Sequence, residues 1–164
     1  MVYNVFIAHS EADEDKPIIY RCVDWLKTNN IGYYLAELSF EPKPLPSKIE
    51  NAIRASDCVL VLQTQKGALS SWVQHEAAMA RTLKKPTIIL VEKGVEVKGL
   101  LRDIEYIVLE RSNPDEAFHN VTNYLVKARE SKEASERAAG FILGGLALMF
   151  IIGLGALAAS GEKT

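Results

Sequence analysis

A tryptophan and a glutamate lie four residues apart at the predicted start of a helix, in the segment Ser70-Ser71-Trp72-Val73-Gln74-His75-Glu76. Ser70 or Ser71 can cap this helix, because a serine oxygen accepts a hydrogen bond from a first-turn N–H group. The spacing of four places Trp72 and Glu76 on one helical face. A carboxylate beside a large aromatic ring can hold a ribose while the ring stacks on a flat base. Taken alone, a helical glutamate is usually a solvated surface residue, so the surrounding elements must decide.

Composition limits the class of protein. The chain has 164 residues, enough for one domain with a core and one small additional segment. Its formal net charge of −2 gives no basis for nucleic-acid binding, which requires a strongly basic surface. The two cysteines, Cys22 and Cys58, have no metal-ligand spacing and fit a reducing compartment. We therefore expect neither a metal site nor a nucleic-acid partner.

Strands alternate with helices through most of the chain, which predicts an α/β domain with a parallel sheet. Predicted strands cover residues 2–8, 32–36, 57–64, 87–91 and 104–109, with helices predicted from Pro17, from a capping box at Ser47 to Glu50, over 70–84 and from about 115. Ile104 opens the last strand, and Gly67 indicates a turn between the third strand and the helix over 70–84. In such sheets ligands bind at the carboxyl ends of the strands, at the switch point. For a flavodoxin-like order that point lies between the first and third strands, where Ser10, the loop 37–46 and the Trp72/Glu76 helix all begin.

The C-terminal region predicts a membrane span. No residue from Ala138 to Ala159 is charged, and as a helix this run measures roughly 33 Å, close to the thickness of the bilayer hydrocarbon. Basic residues precede it at positions 127, 129, 132 and 137, whereas only Lys163 follows it, which predicts a cytoplasmic N-terminal domain. The predicted organisation is a domain over 1–127, a helical linker over 128–137, a transmembrane helix over 138–159 and a tail over 160–164. The linker either continues the preceding helix or breaks near Ser131.

Three segments in the right order resemble the Toll/interleukin receptor (TIR) domain family. Tyr3-Asn4-Val5-Phe6-Ile7-Ala8-His9-Ser10 is similar to its first box, and residues 49–62 to its central helix-to-strand passage. Ser71-Trp72-Val73-x-x-Glu76 resembles a segment of the NAD-cleaving prokaryotic members. The resemblance covers about 2–125. Asn4 stands where the first box usually has aspartate, and 37–46 lacks the Arg-Asp-x-x-Pro-Gly pattern of receptor-type members.

The resemblance implies a flavodoxin-like five-stranded parallel sheet of order 2-1-3-4-5 and hydrolysis of NAD to nicotinamide and ADP-ribose or a cyclic form. It implies that Glu76 is the catalytic residue. Trp72, Ser10, Lys43 and His9 are the expected substrate-binding residues. NAD is then a substrate, and no separate cofactor is expected. Signalling or defence against phage is the implied setting.

The same resemblance implies self-association of the domain. Within the predicted span, Gly140 and Gly144 form one small-x-x-x-small pair, which permits close approach of two helices in the lipid. Two other readings stay open at this point. The domain can be a non-catalytic protein-interaction module at the membrane, or an enzyme similar to a nucleoside deoxyribosyltransferase.

Overall fold

The computed structural model of the chain describes residues 2–35, 46–102 and 104–137. Its strands are β1 (Tyr3–Ala8), β2 (Ile31–Leu35), β3 (Cys58–Gln63), β4 (Thr87–Glu92) and β5 (Ile107–Leu109). Its helices are α1 (Lys16–Thr28), α2 (Pro46–Ala55), α3 (Gln65–Leu69), α4 (Ser71–Thr82) and α5 (Asp115–Arg137). Single 3₁₀ turns occupy Asp13–Asp15 and Gly99–Leu101.

The five strands form one parallel sheet in the order β2-β1-β3-β4-β5, which confirms the predicted fold class and strand order. β1 and β3 lie side by side, and Ala8 at the end of β1 pairs with Val61 near the end of β3. We call the edge where the strands end the upper edge and the edge where they begin the lower edge. The residues after β1 and β3 therefore meet at the upper edge.

Alternation along the strands divides the core into two layers. Val5 and Ile7 of β1 pack with α1 and α5 on one face of the sheet. Phe6 and Ala8 pack with α2 and α4 on the other face. All six residues of β3 are buried, as expected for the central strand of a sheet that is covered on both sides. The second layer is the one that holds the Trp72/Glu76 helix against the sheet.

The start of β5, the start of α2 and the segment around Gly67 differ from the sequence predictions, in addition to shifts of one or two residues at other element ends. β5 begins at Ile107 rather than at Ile104, whose side chain packs instead against the α2/α4 layer. α2 already includes Pro46, so Ser47 lies within its first turn and is not the predicted N-cap. The segment around Gly67, predicted as a turn, forms the short helix α3. Its glycine is required for close packing rather than for chain reversal.

α5 runs without a break through Ser131 to Arg137. At the lower edge its Arg129 donates hydrogen bonds to the carbonyl oxygens of Asn29 and Asn30 at 2.9 and 3.3 Å. One turn later Lys132 forms an ion pair with Asp57 at 2.5 Å. No helix within the described ranges meets the length and hydropathy required to cross a bilayer. The predicted span 138–159, with its glycine pair, lies outside those ranges.

Gly67 gives a test of the packing between α3 and β3. A Cβ atom at this position would lie 2.3 Å from the carbonyl oxygen of Leu62 and 3.0 Å from Oγ1 of Thr64. Replacing a helical glycine by alanine ordinarily stabilises a helix by about 1 kcal/mol. We expect Gly67→Ala instead to lower the free energy of unfolding by about 2 kcal/mol, because backbone must move to admit the methyl group. Denaturant unfolding of the full chain in detergent measures this change.

Gly94→Ala is the matched control. Gly94 has a φ of 89° with nothing within 4 Å of the added Cβ, so only backbone strain opposes the substitution. We expect a loss of about 1 kcal/mol for this variant. A Gly67→Ala variant as stable as the parent would contradict the packing described for α3.

Candidate active site

One threonine cap and one serine cap position α4, the candidate catalytic helix. Thr64, directly after β3, accepts a hydrogen bond from the backbone N–H of Gly67 at 2.9 Å and caps α3. Ser70 accepts from the backbone N–H of Val73 at 3.3 Å and caps α4, as the sequence allowed. The chain therefore leaves β3, makes one short helix and starts α4 at the upper edge. Glu76 follows in the second turn of α4, beyond the capped end.

Glu76 is buried against the sheet with 1% of its surface exposed. Burial raises the pKa of its carboxyl to about 8, and the negative charge of Glu11 adds to the rise. The side chain of Trp72 acts in the opposite direction and lowers the pKa. A glutamate with this pKa is mostly neutral at pH 7, and a positive charge nearby favours its ionisation.

Glu76 and two residues at the ends of β1 and β3 each have a buried polar atom without a hydrogen-bond partner among the described residues. These atoms are Oε1 of Glu76, Nε2 of His9 and Nε2 of Gln63. His9 follows β1 directly and Gln63 ends β3, so both lie at the upper edge, and the Gln63 amide contacts Gln74 of α4 at 3.3 Å. A buried polar atom without a partner costs about 1 to 3 kcal/mol, so a cluster of them indicates a place where a polar ligand binds. A fourth such atom, Oη of Tyr3, lies at the opposite end of β1.

His9 and Ser10 are both buried at this edge. Nδ1 of His9 lies 2.9 Å from the carbonyl oxygen of Ser10. A carbonyl only accepts hydrogen bonds, so Nδ1 carries the proton, and Nε2 of the neutral ring is an acceptor. His9 can therefore receive a hydrogen bond from a ligand through Nε2.

A buried ionic network anchors the same edge. Oδ2 of Asp15 accepts hydrogen bonds from the hydroxyl of Ser10 and from that of Thr64, the latter at 2.6 Å. Oδ1 of Asp15 pairs with Arg111 at 2.8 Å, and Arg111 also pairs with Glu92 at 2.6 Å. Burial raises the pKa of Asp15, but the hydrogen bonds from Arg111, Ser10 and Thr64 outweigh it and hold the pKa below its ordinary value. Asp15 is therefore ionised at neutral pH.

The charge of Asp15 determines what Ser10 can bind. An ionised carboxylate only accepts hydrogen bonds, so the single hydroxyl proton of Ser10 is directed to Asp15. The remaining lone pair of Ser10 can accept a bond from a ligand hydroxyl, such as one on a ribose. Ser10 has no proton left for a phosphate oxygen.

The predicted site residues are partly brought together. Trp72, half-buried one turn before Glu76, packs against the α2/α4 layer, and its ring centroid lies 6.4 Å from that of His75. His9 and Ser10 share the upper edge with these residues, whereas Lys43 lies outside the described residues. No group of three or more potential metal ligands occurs in the part of the chain that the structure describes.

Sequence reasoning missed Asp15, Gln63, Glu92 and Arg111. Asp15 stands in a run of acidic residues typical of a solvated turn, and Arg111 is 96 positions away from it. Gln63 ends a strand whose pattern indicates only a buried core. The polar residue at the end of an otherwise apolar strand is the one signal that could have identified Gln63.

Comparison with known proteins agrees on the fold. The sequence model of the TIR domain family matches residues 5–122. The TIR domain of the Toll-related receptor TRR-2 from Hydra magnipapillata is similar with a TM-score of 0.61 and 17% identity, over 76% of this chain and 98% of that one. Comparison with curated proteins finds no match.

Two further solved structures share the fold at low identity. A metazoan TIR-STING receptor from C. gigas, in complex with 2′,3′-cGAMP, has a TM-score of 0.58 and 22% identity, over 72% of this chain and 39% of that one. The Clostridium botulinum CMP N-glycosidase BcmB has a TM-score of 0.51 and 16% identity, over 68% of this chain and 94% of that one. At these identities the likeness concerns the fold alone.

The ionic network gives a stability prediction. We expect Arg111→Met to lower the free energy of unfolding by about 3 kcal/mol, because it leaves the buried carboxylates of Asp15 and Glu92 without their cation. Arg21→Met is the matched control, since Arg21 forms an exposed pair with Asp115 that solvent screens, so its loss should change stability little. Denaturant unfolding of both variants measures the difference. Equal losses for the two would show that the network does not anchor the edge.

Proposed function

The chain belongs to the TIR domain family, and we propose that it is an enzyme that hydrolyses the bond between nicotinamide and ribose in NAD. The products are nicotinamide and ADP-ribose or its cyclic form. The observation that carries the proposal is the buried carboxylate of Glu76, whose Oε1 has no partner in the described residues and which lies at the same edge as the unpartnered atoms of His9 and Gln63. The TIR-like spacing of Trp72 and Glu76 supports the same reaction.

The proposed reaction needs one ionised carboxylate. The bond from the ribose carbon to the nicotinamide nitrogen breaks, and its electron pair leaves with nicotinamide, which departs neutral. Positive charge grows on the ribose ring as in glycoside cleavage. An ionised Glu76 in a dry environment stabilises this charge more than it stabilises the ground state. Water then attacks the ribose carbon to give ADP-ribose, or an adenine nitrogen attacks it to give the cyclic product.

The positive charge of the substrate offsets the raised pKa of Glu76. The nicotinamide ring of NAD is a cation, so its arrival favours the ionised form of a carboxyl that is mostly neutral in the free protein. Trp72 supplies a flat face beside the site and excludes water. Ser10 accepts a hydrogen bond from a ribose hydroxyl, and His9 accepts one through Nε2. Lys43 is proposed for the phosphates on the basis of the family resemblance alone.

We also propose that residues 138–159 anchor the enzyme in a membrane with the domain on the cytoplasmic side. This rests on the uncharged run and the basic residues that precede it. Confinement to a plane raises the effective concentration of the domain and favours its self-association. Cleavage of NAD after assembly suits signalling or defence against phage.

The first test is turnover of NAD by the full chain in vesicles. We expect nicotinamide release by the parent and a reduction on the order of 100-fold or more for Glu76→Gln, because the variant cannot carry the stabilising charge. Glu116→Gln, an exposed change on α5, is the matched control and should retain full activity. Absence of NAD turnover in the densely loaded parent would favour the non-catalytic interaction module. Turnover of CMP or nucleosides in place of NAD would indicate a different N-glycosidase on this fold.

The second test is the pH dependence of kcat/KM. Because the ionised form of Glu76 is active and its pKa is about 8 in the free protein, kcat/KM should rise with pH and level off above this value. Glu11→Gln should move the midpoint to lower pH, since the charge of Glu11 raises the pKa of Glu76. A profile that is flat across this range contradicts the assignment of Glu76.

The third test measures stability and needs no substrate. Between its ordinary pKa of 4.5 and its raised pKa of about 8, Glu76 stays protonated in the folded chain and ionises in the unfolded one, so stability is lost as pH rises through this window. Glu76→Gln removes this loss. We expect the variant to match the parent near the lower limit and to exceed it above the upper limit by on the order of 5 kcal/mol. If the difference in thermal stability between the variant and the parent did not change with pH, ionisation of Glu76 would not destabilise the folded chain.

A further inference from the structure

The lower edge of the sheet carries a group of cations and two exposed apolar side chains. We call it the lower-edge surface. Its basic members lie in the last turns of α1 and α2, in the turn before β4 and in the C-terminal half of α5. Its apolar members directly precede β1 and β5. The members are Lys27, Arg54, Lys84, Lys85, Arg129 and Lys132, with Val2 and Tyr106, which are 59% and 49% exposed.

Four of these cations form no ion pair with a carboxylate of the described residues, although the charge of Asp57 also acts on Lys85. Lys85 donates to the carbonyl oxygens of Arg54 and Ser56 at 2.6 and 2.7 Å, and Arg129 likewise donates to carbonyl oxygens. Within the described residues, Lys27 and Lys84 form no ion pair. Two members do have acidic partners, since Lys132 pairs with Asp57 and Arg54 pairs with Glu50.

α5 determines how far this surface lies from the predicted span. Lys132 contacts Asp57 at the lower edge, and the helix continues for five residues to Arg137. At 1.5 Å per residue the end of α5 lies roughly 8 Å beyond that contact. The uncharged run begins at the next residue, Ala138. Roughly 8 Å is also the distance over which charges act at physiological salt.

We propose that the lower-edge surface docks on the anionic headgroups of the bilayer that holds the span. The proposal rests on the membrane anchor of the proposed function and extends it to the orientation of the domain. Cations next to a span attract anionic lipids, and a tyrosine is typical of the headgroup level. In this orientation the strands β1 and β3 lie between the membrane and the site. Six residues of β1 place the site about 20 Å farther from the bilayer, facing the cytoplasm.

The test uses short-range quenching by lipids that carry a nitroxide on the headgroup. Single cysteines are introduced into the full chain by Thr28→Cys at the lower edge and Ser112→Cys at the upper edge, both at exposed hydroxyl residues. The native Cys22 and Cys58 are buried, and burial raises the pKa of each thiol to about 12, so they resist labelling. We expect a fluorophore at position 28 to be quenched several-fold more than one at position 112.

A matched pair of charge reversals separates docking from simple proximity. Lys84 precedes β4 and Lys93 follows it, so the two lysines mark opposite edges of the same strand. In vesicles that contain phosphatidylglycerol, Lys84→Glu should reduce quenching at position 28, whereas Lys93→Glu should leave it unchanged. In phosphatidylcholine alone, neither change should have an effect.

Each contrary outcome overturns the proposal. Equal quenching at both positions contradicts the orientation, and quenching that ignores lipid charge and Lys84→Glu contradicts headgroup binding. A chain that does not float with the vesicles contradicts the anchor itself. NAD turnover is measured on the same vesicles, so loss of the enzymatic proposal and loss of the docking proposal are distinguished.

Discussion

One buried carboxylate, that of Asp15, holds the upper edge together. It receives hydrogen bonds from the residues that follow β1 and β3 and an ion pair from the segment that follows β5. Asp15 directly precedes α1, so the same contacts hold the start of that helix at this edge. A buried charge is stable only while its partners remain in place. Displacement of any one of these segments would therefore destabilise the others. The site at this edge therefore has a rigid base made from distant parts of the chain.

A second buried carboxylate at the same edge has the opposite environment. Asp15 has a cation and two hydroxyl donors, and its pKa lies below the ordinary value. Glu76 is buried and lies near the negative charge of Glu11, and both effects raise its pKa, to about 8. Two carboxyls whose surroundings move their pKa values apart commonly divide structural and chemical roles. Here Arg111 makes the difference, because it reaches Asp15 and leaves Glu76 without a positive partner among the described residues.

Local patterns predicted the parallel sheet and the helix that carries Trp72 and Glu76, because strand runs, caps and a spacing of four are local properties. The strand order, in contrast, came from the resemblance to the TIR family. The pairing of Asp15 with Arg111 was not predictable, since it joins residues far apart in sequence that have no shared pattern. The burial of Glu76 was also hidden, because it depends on how α4 packs against β1 and β3. The prediction of a turn at Gly67 was wrong for a related reason. The role of this glycine is close contact with Leu62, and contact across elements leaves no local signature.

The topology itself separates the site from the proposed anchor. Parallel strands joined by helices require each helix that crosses the sheet to start at the upper edge and to end at the lower one, as α1, α2 and α4 do. Partial negative charge accumulates at helix C-termini, so the lower edge favours cations such as Lys27 and Arg54 in the last turns of α1 and α2. α5 follows β5 and must also descend. A span appended to α5 therefore leaves from the cationic edge, and a site at the ends of the strands faces away from the membrane without any further device.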